Sequence, residues 1–214
     1  KGESFLVPET ILCFSNQGFG ELSRKYHRCI REHICRGRYM QEKRPVLINS
    51  WEAAFMDFDD VKLVEIAKAA KKMGVDLLVM DDGWFGKRDD DNSGLGDWYV
   101  NENKIKCGLH KLVEQINDLG MKFGIWFEPE MVSEDSDLYR AHPDWAMQIP
   151  GRHAVRSRNQ MALDMSRKEV QDYLIKRINA VLDDANIYYV KWDINRSLAD
   201  IWSNALPAEK QGEV

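Results

Sequence analysis

The sequence has no long apolar run and no clustered metal ligands. No stretch approaches the roughly 18 apolar residues that a membrane-spanning helix needs, and no signal peptide opens the chain. The four cysteines form no CxxC pair, and the five histidines show no HExxH spacing. We therefore expect no membrane partner, no metal and no other cofactor. Scattered thiols without a disulfide framework favour a reducing, cytoplasmic compartment.

The chain also carries little net charge. A formal net charge of −5 argues against nucleic acid as the main partner. The 214 residues are 44% hydrophobic and 30% charged, which is typical of a globular protein with a sizeable core. The first residue is Lys1 rather than Met, so we expect the natural start to lie upstream.

Residues 1–44 differ in pattern from the rest of the chain. Apolar residues between positions 6 and 14 suggest the end of a β segment. A helical pattern follows Gly18, with Phe19, Leu22 and Tyr26 on one face. We interpret residues 1–44 as the exit from a missing N-terminal β domain followed by a linker helix.

From residue 45 onward, apolar runs alternate with amphipathic helical patterns. The runs predict four main strands, at 46–48, 77–80, 123–127 and 188–192. The helices between them begin at a cap on Asp59 or Asp60, at Leu109, and at a Ser166–Glu169 capping box. A long polar loop is expected over 83–108, and a minor strand at 162–163. This alternation predicts an α/β fold with a parallel sheet.

Both an open doubly wound sheet and a TIM barrel fit this alternation. No GxGxxG or Walker loop follows the first strand, and acidic residues and tryptophans follow all four strands, where barrel active sites lie. These features favour a (β/α)8 barrel. A complete barrel takes about 250 residues, so we expect residues 45–214 to form only its first half, with four main parallel strands.

The strand ends combine the two side-chain types that bind sugars. Carboxylates accept hydrogen bonds from hydroxyl groups, and tryptophan faces stack on the apolar patches of a pyranose ring. The four stretches are Asn49-Ser50-Trp51-Glu52, Asp81-Asp82-Gly83-Trp84, Trp126-Phe127-Glu128-Pro129-Glu130 and Lys191-Trp192-Asp193-Ile194-Asn195. Lys191 and Asp193 lie two residues apart on a strand and should point to one face, whereas Trp192 should pack against a helix on the other.

Longer motifs occur around these strand ends, over about residues 5 to 200. They are RPVLINSWEA (44–53), DLLVMDDGWFG (76–86), GDWYVN (96–101), GIWFEPEMV (124–132), HPDW (142–145), RNQMALDMSR (158–167) and YVKWDINR (189–196). Together they resemble glycoside hydrolase family 36, the microbial α-galactosidases. Members of this family are retaining enzymes, so the resemblance implies hydrolysis of terminal α-D-galactosyl residues, as in melibiose and raffinose, through a covalent intermediate.

The resemblance also implies roles for single residues. Asp193 matches the nucleophile, and Asp81 and Asp82 match the pair that holds the galactose hydroxyls. Trp51 and Trp126 match aromatic walls of the sugar pocket. The other expected substrate-binding residues are Arg158, Lys191 and Asn195. Glu128 and Glu130 lie in a family motif, and Glu130 either contacts sugar or supports its loop.

The chain departs from the family pattern in two places. No stretch resembles the Cys- and Gly-rich strand end that precedes the acid/base aspartate, and no glycine directly precedes Arg158. Because the acid/base aspartate is missing, we expect the 214 residues alone to be inactive. We also expect the full-length enzyme to be a homo-oligomer. The alternatives are a non-catalytic sugar-binding or assembly fragment, or an α-N-acetylgalactosaminidase or galactosyltransferase of the same family.

Overall fold

The computed structural model describes residues 2, 4 and 6–213, which divide into two units, one up to residue 44 and one from residue 45. The first unit contains an α-helix (α1, Gly18–Cys29), a π-helical turn (Ile30–Ile34) and a 3₁₀ turn (Arg38–Met40). The expected helix after Gly18 is therefore confirmed.

The expected β segment before α1 is wrong, because residues 6–15 form neither strand nor helix. Strands are held by ladders of backbone hydrogen bonds, and this stretch instead gives its carbonyl groups to side chains of α1. Tyr26 Oη donates to the Ile11 carbonyl at 3.1 Å, and Lys25 Nζ donates to the Phe14 carbonyl at 3.0 Å.

The second unit is built on a parallel sheet of four strands in the order β1-β2-β3-β6. Its strands are β1 (Leu47–Asn49), β2 (Leu77–Met80), β3 (Lys122–Phe127) and β6 (Tyr189–Trp192). The four predicted strands are confirmed, and their ends differ from the prediction by at most one residue. A two-stranded antiparallel sheet pairs β4 (Met131–Val132) with β5 (Met161–Ala162), which is the expected minor strand one residue earlier in the chain.

Among its described residues, this unit has five α-helices, and the hydrophobic pattern predicts the three longest of them. The five helices are α2 (Trp51–Ala54), α3 (Asp60–Lys72), α4 (Leu109–Asp118), α5 (Asp137–Ala141) and α6 (Lys168–Asp184). Asp59 caps α3 by accepting from the Lys62 backbone N–H at 2.8 Å. Leu63, Ala67 and Ala70 are buried on its inner face.

The capping box expected at α6 is wrong. Arg167 occupies the cap position without a side-chain cap bond. The Ser166 hydroxyl instead donates to Asp164 Oδ1 at 2.5 Å, and Glu169 accepts from the Arg167 guanidinium at 2.8 Å. Both side chains that would form the capping box therefore make hydrogen bonds to other side chains instead.

The loop over 83–108 has no helix or strand, as expected, but it is not a polar surface loop. It contributes Trp84, Phe85, Leu95, Trp98 and Ile105 to the core, each at most 1% exposed. The rings of Phe85 and Trp98 lie 4.4 Å apart, and Trp84 Nε1 donates to the Trp126 carbonyl at the end of β3. The aromatic residues of the loop are therefore part of the hydrophobic core near the carboxyl ends of the strands.

Trp192 does not pack against a helix, contrary to the sequence expectation. It is 57% exposed on the edge strand β6, and its indole N–H donates to Glu130 Oε1 at 2.9 Å. Met73 follows the last residue of α3 and is 72% exposed, since the helix ends at Lys72 and the chain turns at Gly74.

Candidate active site

A cavity of about 120 Å³ lies at the carboxyl ends of the four parallel strands. Each strand of the sheet supplies part of the cavity wall within two residues of its carboxyl end. The lining residues are Trp51, Asp81, Asp82, Trp126, Arg158, Lys191, Asp193 and Asn195. The structure therefore brings all eight sequence-nominated residues to one cavity.

Asp193 is held in this cavity by hydrogen bonds to one carboxylate oxygen. Its Oδ2 accepts from Trp126 Nε1 at 3.0 Å and from Asn195 Nδ2 at 2.9 Å. Lys191 Nζ lies 4.0 Å from the same oxygen. Partial burial works to raise the pKa of Asp193, but the two hydrogen bonds and the Lys191 charge outweigh it, so the pKa is lowered. The carboxylate is thereby kept ionised.

Lys191 pairs more closely with Asp81 than with Asp193. Its Nζ donates to Asp81 Oδ2 at 2.8 Å, which links the end of β2 to β6 across the intervening strand β3. The Asn49 side-chain amide also donates to Asp81 Oδ2, and the Ser50 hydroxyl accepts from the Asp81 backbone N–H at 3.0 Å. Asp81 is 3% exposed and firmly fixed.

Asp82 lines the cavity, but its carboxylate is bound from below by a buried arginine. Arg88 Nε and Nη2 contact both carboxylate oxygens at distances between 2.9 and 3.3 Å. Burial raises the pKa of Asp82 and the Arg88 charge only partly offsets this effect. Much of the hydrogen-bonding capacity that was expected for a sugar is therefore used by Arg88.

Arg158 reaches the cavity from an exposed turn. Arg158 and Asn159 both have left-handed backbone conformations, with φ of 54° and 58°. The Arg158 guanidinium lies 3.5 Å from Asp91 Oδ1, and Asp91 in turn lies 3.4 Å from Arg88. Asp91, in the loop over 83–108, therefore lies between two arginine side chains, one from the loop itself and one from the turn at Arg158.

The two tryptophans differ in what they offer a ligand. Trp51 is half-buried and makes an edge contact with Phe55 at 5.3 Å between ring centres. Trp126 is only 1% exposed, and its ring lies parallel to that of Phe85. Trp126 therefore offers its indole N–H, which Asp193 accepts, rather than an open stacking face.

Comparison with known proteins agrees with this arrangement of motifs. Residues 4–214 match the family model described as melibiase. The chain belongs to the melibiase family. Its relatives include the bifunctional α-galactosidase/sucrose kinase AgaSK of Mediterraneibacter gnavus, 58% identical over 96% of this chain, and the α-galactosidase AgaA of Geobacillus stearothermophilus, 50% identical over 99%.

Solved structures of this family share the fold of the chain. The glycoside hydrolase family 36 α-galactosidase AgaB from Geobacillus stearothermophilus aligns over 93% of the chain with a TM-score of 0.88 and 52% identity. The chain covers 28% of that structure, and 22% and 29% of the AgaSK and AgaA lengths. The four-stranded sheet is thus part of a family 36 catalytic barrel, as expected from the sequence.

The candidate site includes residues to which the sequence pattern assigns no role. Asn49, Arg88 and Glu128 contact the nominated residues Asp81, Asp82 and Asn195, respectively. Gln160 donates to Glu128, and Arg196 donates to the Gln160 carbonyl. All five of these side chains except that of Asn49 are buried. Asn49 and Glu128 lie at strand ends, so their position was visible in the sequence. Arg88, Gln160 and Arg196 lie in loops, and their partners follow only from the folded chain.

Glu130 lies beside this site without lining it. Its Oε1 accepts from Trp192 Nε1, and its Oε2 is buried without a hydrogen-bond partner among the described residues. Within residues 2, 4 and 6–213, no group of three or more His, Cys, Asp or Glu side chains is arranged to hold a metal ion. No helix in that part of the chain is long and apolar enough to cross a membrane.

Proposed function

We propose that the chain is part of a retaining α-galactosidase that hydrolyses terminal α-D-galactosyl residues of melibiose- and raffinose-type oligosaccharides. The observation that carries this proposal is the placement of Asp193 in a cavity where two hydrogen bonds and a lysine keep it ionised. The AgaA relative has been solved in complex with raffinose and with stachyose. We assign the same class of substrate to this chain.

In the proposed reaction, the Asp193 carboxylate attacks the anomeric carbon of the galactosyl group. The new C–O bond forms as the glycosidic C–O bond breaks, and a second carboxyl group protonates the departing oxygen. Water then attacks the galactosyl–Asp193 ester, aided by the same second group acting as a base, and galactose leaves with its configuration retained. We assign the second carboxyl group to no residue of this chain.

The two oxygens of Asp193 take different parts in this scheme. Oδ2 accepts from both Trp126 and Asn195, which fixes the carboxylate and stabilises its charge. Oδ1 accepts, among the described residues, the backbone N–H of Ile194 at 3.2 Å. Oδ1 therefore has the more available lone pairs, and we assign it as the attacking atom.

Hydroxyl groups of the galactosyl ring are bound by the charged residues around Asp193. Asp81 accepts and Lys191 donates hydrogen bonds on one side, while Arg158 donates on the other. Asp82, Asn195 and the indoles of Trp51 and Trp126 complete the wall. This arrangement favours a compact polar ligand such as a monosaccharide unit.

We extend the proposal to the setting of the site. Residues 1–44 leave an N-terminal β domain through a linker helix, and residues 45–214 are the first half of the catalytic barrel. The full-length enzyme is a cytoplasmic homo-oligomer. The free state of Cys13, Cys29, Cys35 and Cys107 supports a reducing compartment.

The experiment that tests the proposal compares the full-length protein with its Asp193→Asn variant on an aryl α-galactoside. Proton NMR should show the α-anomer of galactose as the first product. The variant should lose at least about 10⁴-fold in kcat with an unchanged circular dichroism spectrum. The exposed Asp57 provides a matched control, since Asp57→Asn removes an equal charge outside the cavity. A β-anomer product, or normal turnover by Asp193→Asn, would overturn the proposal.

A further inference from the structure

Glu128 lies directly behind the candidate site without lining it. It follows the last residue of β3 and is 1% exposed. Its Oε1 accepts from the Asn195 backbone N–H and from Gln160 Nε2, the latter at 3.1 Å. Its Oε2 accepts from Asn195 Nδ2 at 3.2 Å. A buried carboxylate is costly unless hydrogen-bonded, and here two of the three donors belong to one residue.

Asn195 connects Glu128 to the nucleophile. Its side-chain nitrogen donates to Glu128 Oε2 at 3.2 Å and to Asp193 Oδ2 at 2.9 Å. An amide nitrogen has two hydrogens and accepts nothing, whereas the amide oxygen only accepts. With a carboxylate on either side, the amide has one favourable orientation, in which the nitrogen points to both.

We propose that Glu128 is a positioning residue that fixes the orientation of the Asn195 amide, so that Asn195 donates to Asp193. The inference rests on the proposed role of Asp193 as the nucleophile. Glu128 contacts no substrate, and it favours ionisation of Asp193 only through Asn195. Its removal should therefore make Asp193 harder to ionise only while Asn195 is present.

The Glu128→Gln variant should turn the Asn195 amide around. The Asn195 backbone N–H cannot rotate, so the new side chain must keep its oxygen at the Oε1 position and place its NH₂ group at the Oε2 position. That NH₂ group then faces the Asn195 NH₂ group, donor against donor. The conflict is relieved when Asn195 rotates, which brings its oxygen towards Asp193 and removes a donor from the carboxylate.

The charge of Glu128 has the opposite effect on Asp193. Among the described residues, the charged groups around Asp193 are Lys191 on β6, Asp81 and Asp82 beyond β2, Glu128 beyond β3 and Arg158 from the turn before β5. Removing the negative charge of Glu128 alone would make Asp193 easier to ionise. Loss of the Asn195 bond makes it harder to ionise. The direction of the change therefore separates the two effects.

The experiment measures kcat/KM against pH for the full-length protein, because the acidic limb reports the group that must be ionised in the free enzyme. Glu128→Gln should move the acidic limb upward by about 1 to 2 pH units, the size expected for one lost hydrogen bond to a charged group. The same substitution in an Asn195→Ala background should move the limb no higher. Equal movement in both backgrounds would overturn the inference.

Two further variants keep the test decisive. Gln160→Met removes the third donor to Glu128 without touching Asn195, and its acidic limb should stay in place. Asn195→Ala alone should raise the limb, and an unmoved limb would contradict the inference even if Glu128→Gln failed to fold. Normal turnover by Asp193→Asn would instead refute the proposed function, so the two failures are distinguishable.

Discussion

Lys191 is the positively charged residue that interacts with two carboxylates of the candidate site, Asp81 and Asp193. It lies 2.8 Å from Asp81 and 4.0 Å from Asp193, and so links the two carboxylates. Its positive charge is one of the causes that lower the pKa of Asp193, after the opposing effect of burial and the two hydrogen bonds. Removal of that charge should therefore raise the pKa of Asp193.

We predict that Lys191→Met moves the acidic limb of kcat/KM to higher pH in the full-length enzyme. The proposed reaction needs the carboxylate form of Asp193, so activity should be lost wherever Asp193 becomes protonated, and this pH range should extend upward in the variant. KM for an aryl α-galactoside should also rise, since Lys191 lines the cavity. Lys191→Arg keeps the charge and is the matched control. An acidic limb that stays in place or moves to lower pH would contradict this account.

At the scale of single residues, the alternation of side chains along a strand was enough to place Lys191 and Asp193 together. The partner of Lys191 was not predictable in the same way, because Asp81 lies 110 positions away and meets it only across β3. The sequence also did not show that Trp126 directs its indole N–H to Asp193. The burial of Trp126 against Phe85 depends on the fold of the loop over 83–108.

The loop over 83–108 is the element on which the floor of the site depends. It carries Arg88, which is 1% exposed and binds both oxygens of Asp82. Gly86 turns there with φ of 49°, and a Cβ atom would lie 2.8 Å from the Asp97 side chain, so the turn requires glycine. Removing the arginine would leave a buried carboxylate without its counter-charge.

We predict that Arg88→Met destabilises the enzyme by about 3–5 kcal/mol, the usual cost of breaking a buried ion pair from one side. Burial already raises the pKa of Asp82, and without Arg88 it should rise further. The folded variant then binds a proton more tightly than the unfolded chain does. The loss of unfolding free energy relative to the unmodified protein should therefore be smallest at low pH. It should grow as pH rises through the carboxyl range to the new pKa of Asp82.

Urea unfolding monitored by tryptophan fluorescence at several pH values measures this effect. Arg140 is the matched control, because it pairs with Asp135 and Asp137 on the surface and Arg140→Met should change the midpoint little. Equal stability of Arg88→Met and the unmodified protein at neutral pH would show that the buried pair does not hold the loop.

Elements with a regular hydrophobic period were predictable, and irregular elements were not. The inner faces of α3, α4 and α6 follow the helical repeat, so their buried residues could be read from the sequence. The loop over 83–108 has buried aromatic residues at irregular spacing between charged ones, which made it look polar. The β4–β5 pair was only half predicted, because a two-residue strand carries almost no periodic signal.

At the scale of the whole molecule, the four-stranded sheet ends in two open edges within the part of the chain that the structure describes. The outer sides of β1 and β6 pair with no strand there. Apolar side chains beside these edges are exposed, among them Val46 at 53% and Trp192 at 57%. Open parallel edges with exposed apolar groups favour association with other chains.

We predict that the 214 residues expressed alone associate in solution and turn over an aryl α-galactoside at least about 10²–10⁴-fold more slowly than the full-length enzyme. That range is the usual contribution of a general acid. Light scattering gives the mass in solution, and a chromogenic assay gives the rate. A stable monomer with full activity would mean that a carboxyl group within these residues, such as Glu130, serves as the acid.

The central claim is that Asp193 forms a covalent bond to the galactosyl group. The most direct test is to trap that intermediate on the full-length enzyme with a fluorinated α-galactosyl fluoride, which slows the hydrolysis step more than the attack. Mass spectrometry of the intact protein and of its peptides should then find one galactosyl label, on the peptide that contains Asp193, and none in Asp193→Asn. A label on a different carboxyl group, or complete hydrolysis with an inverted product and no label, would contradict the account.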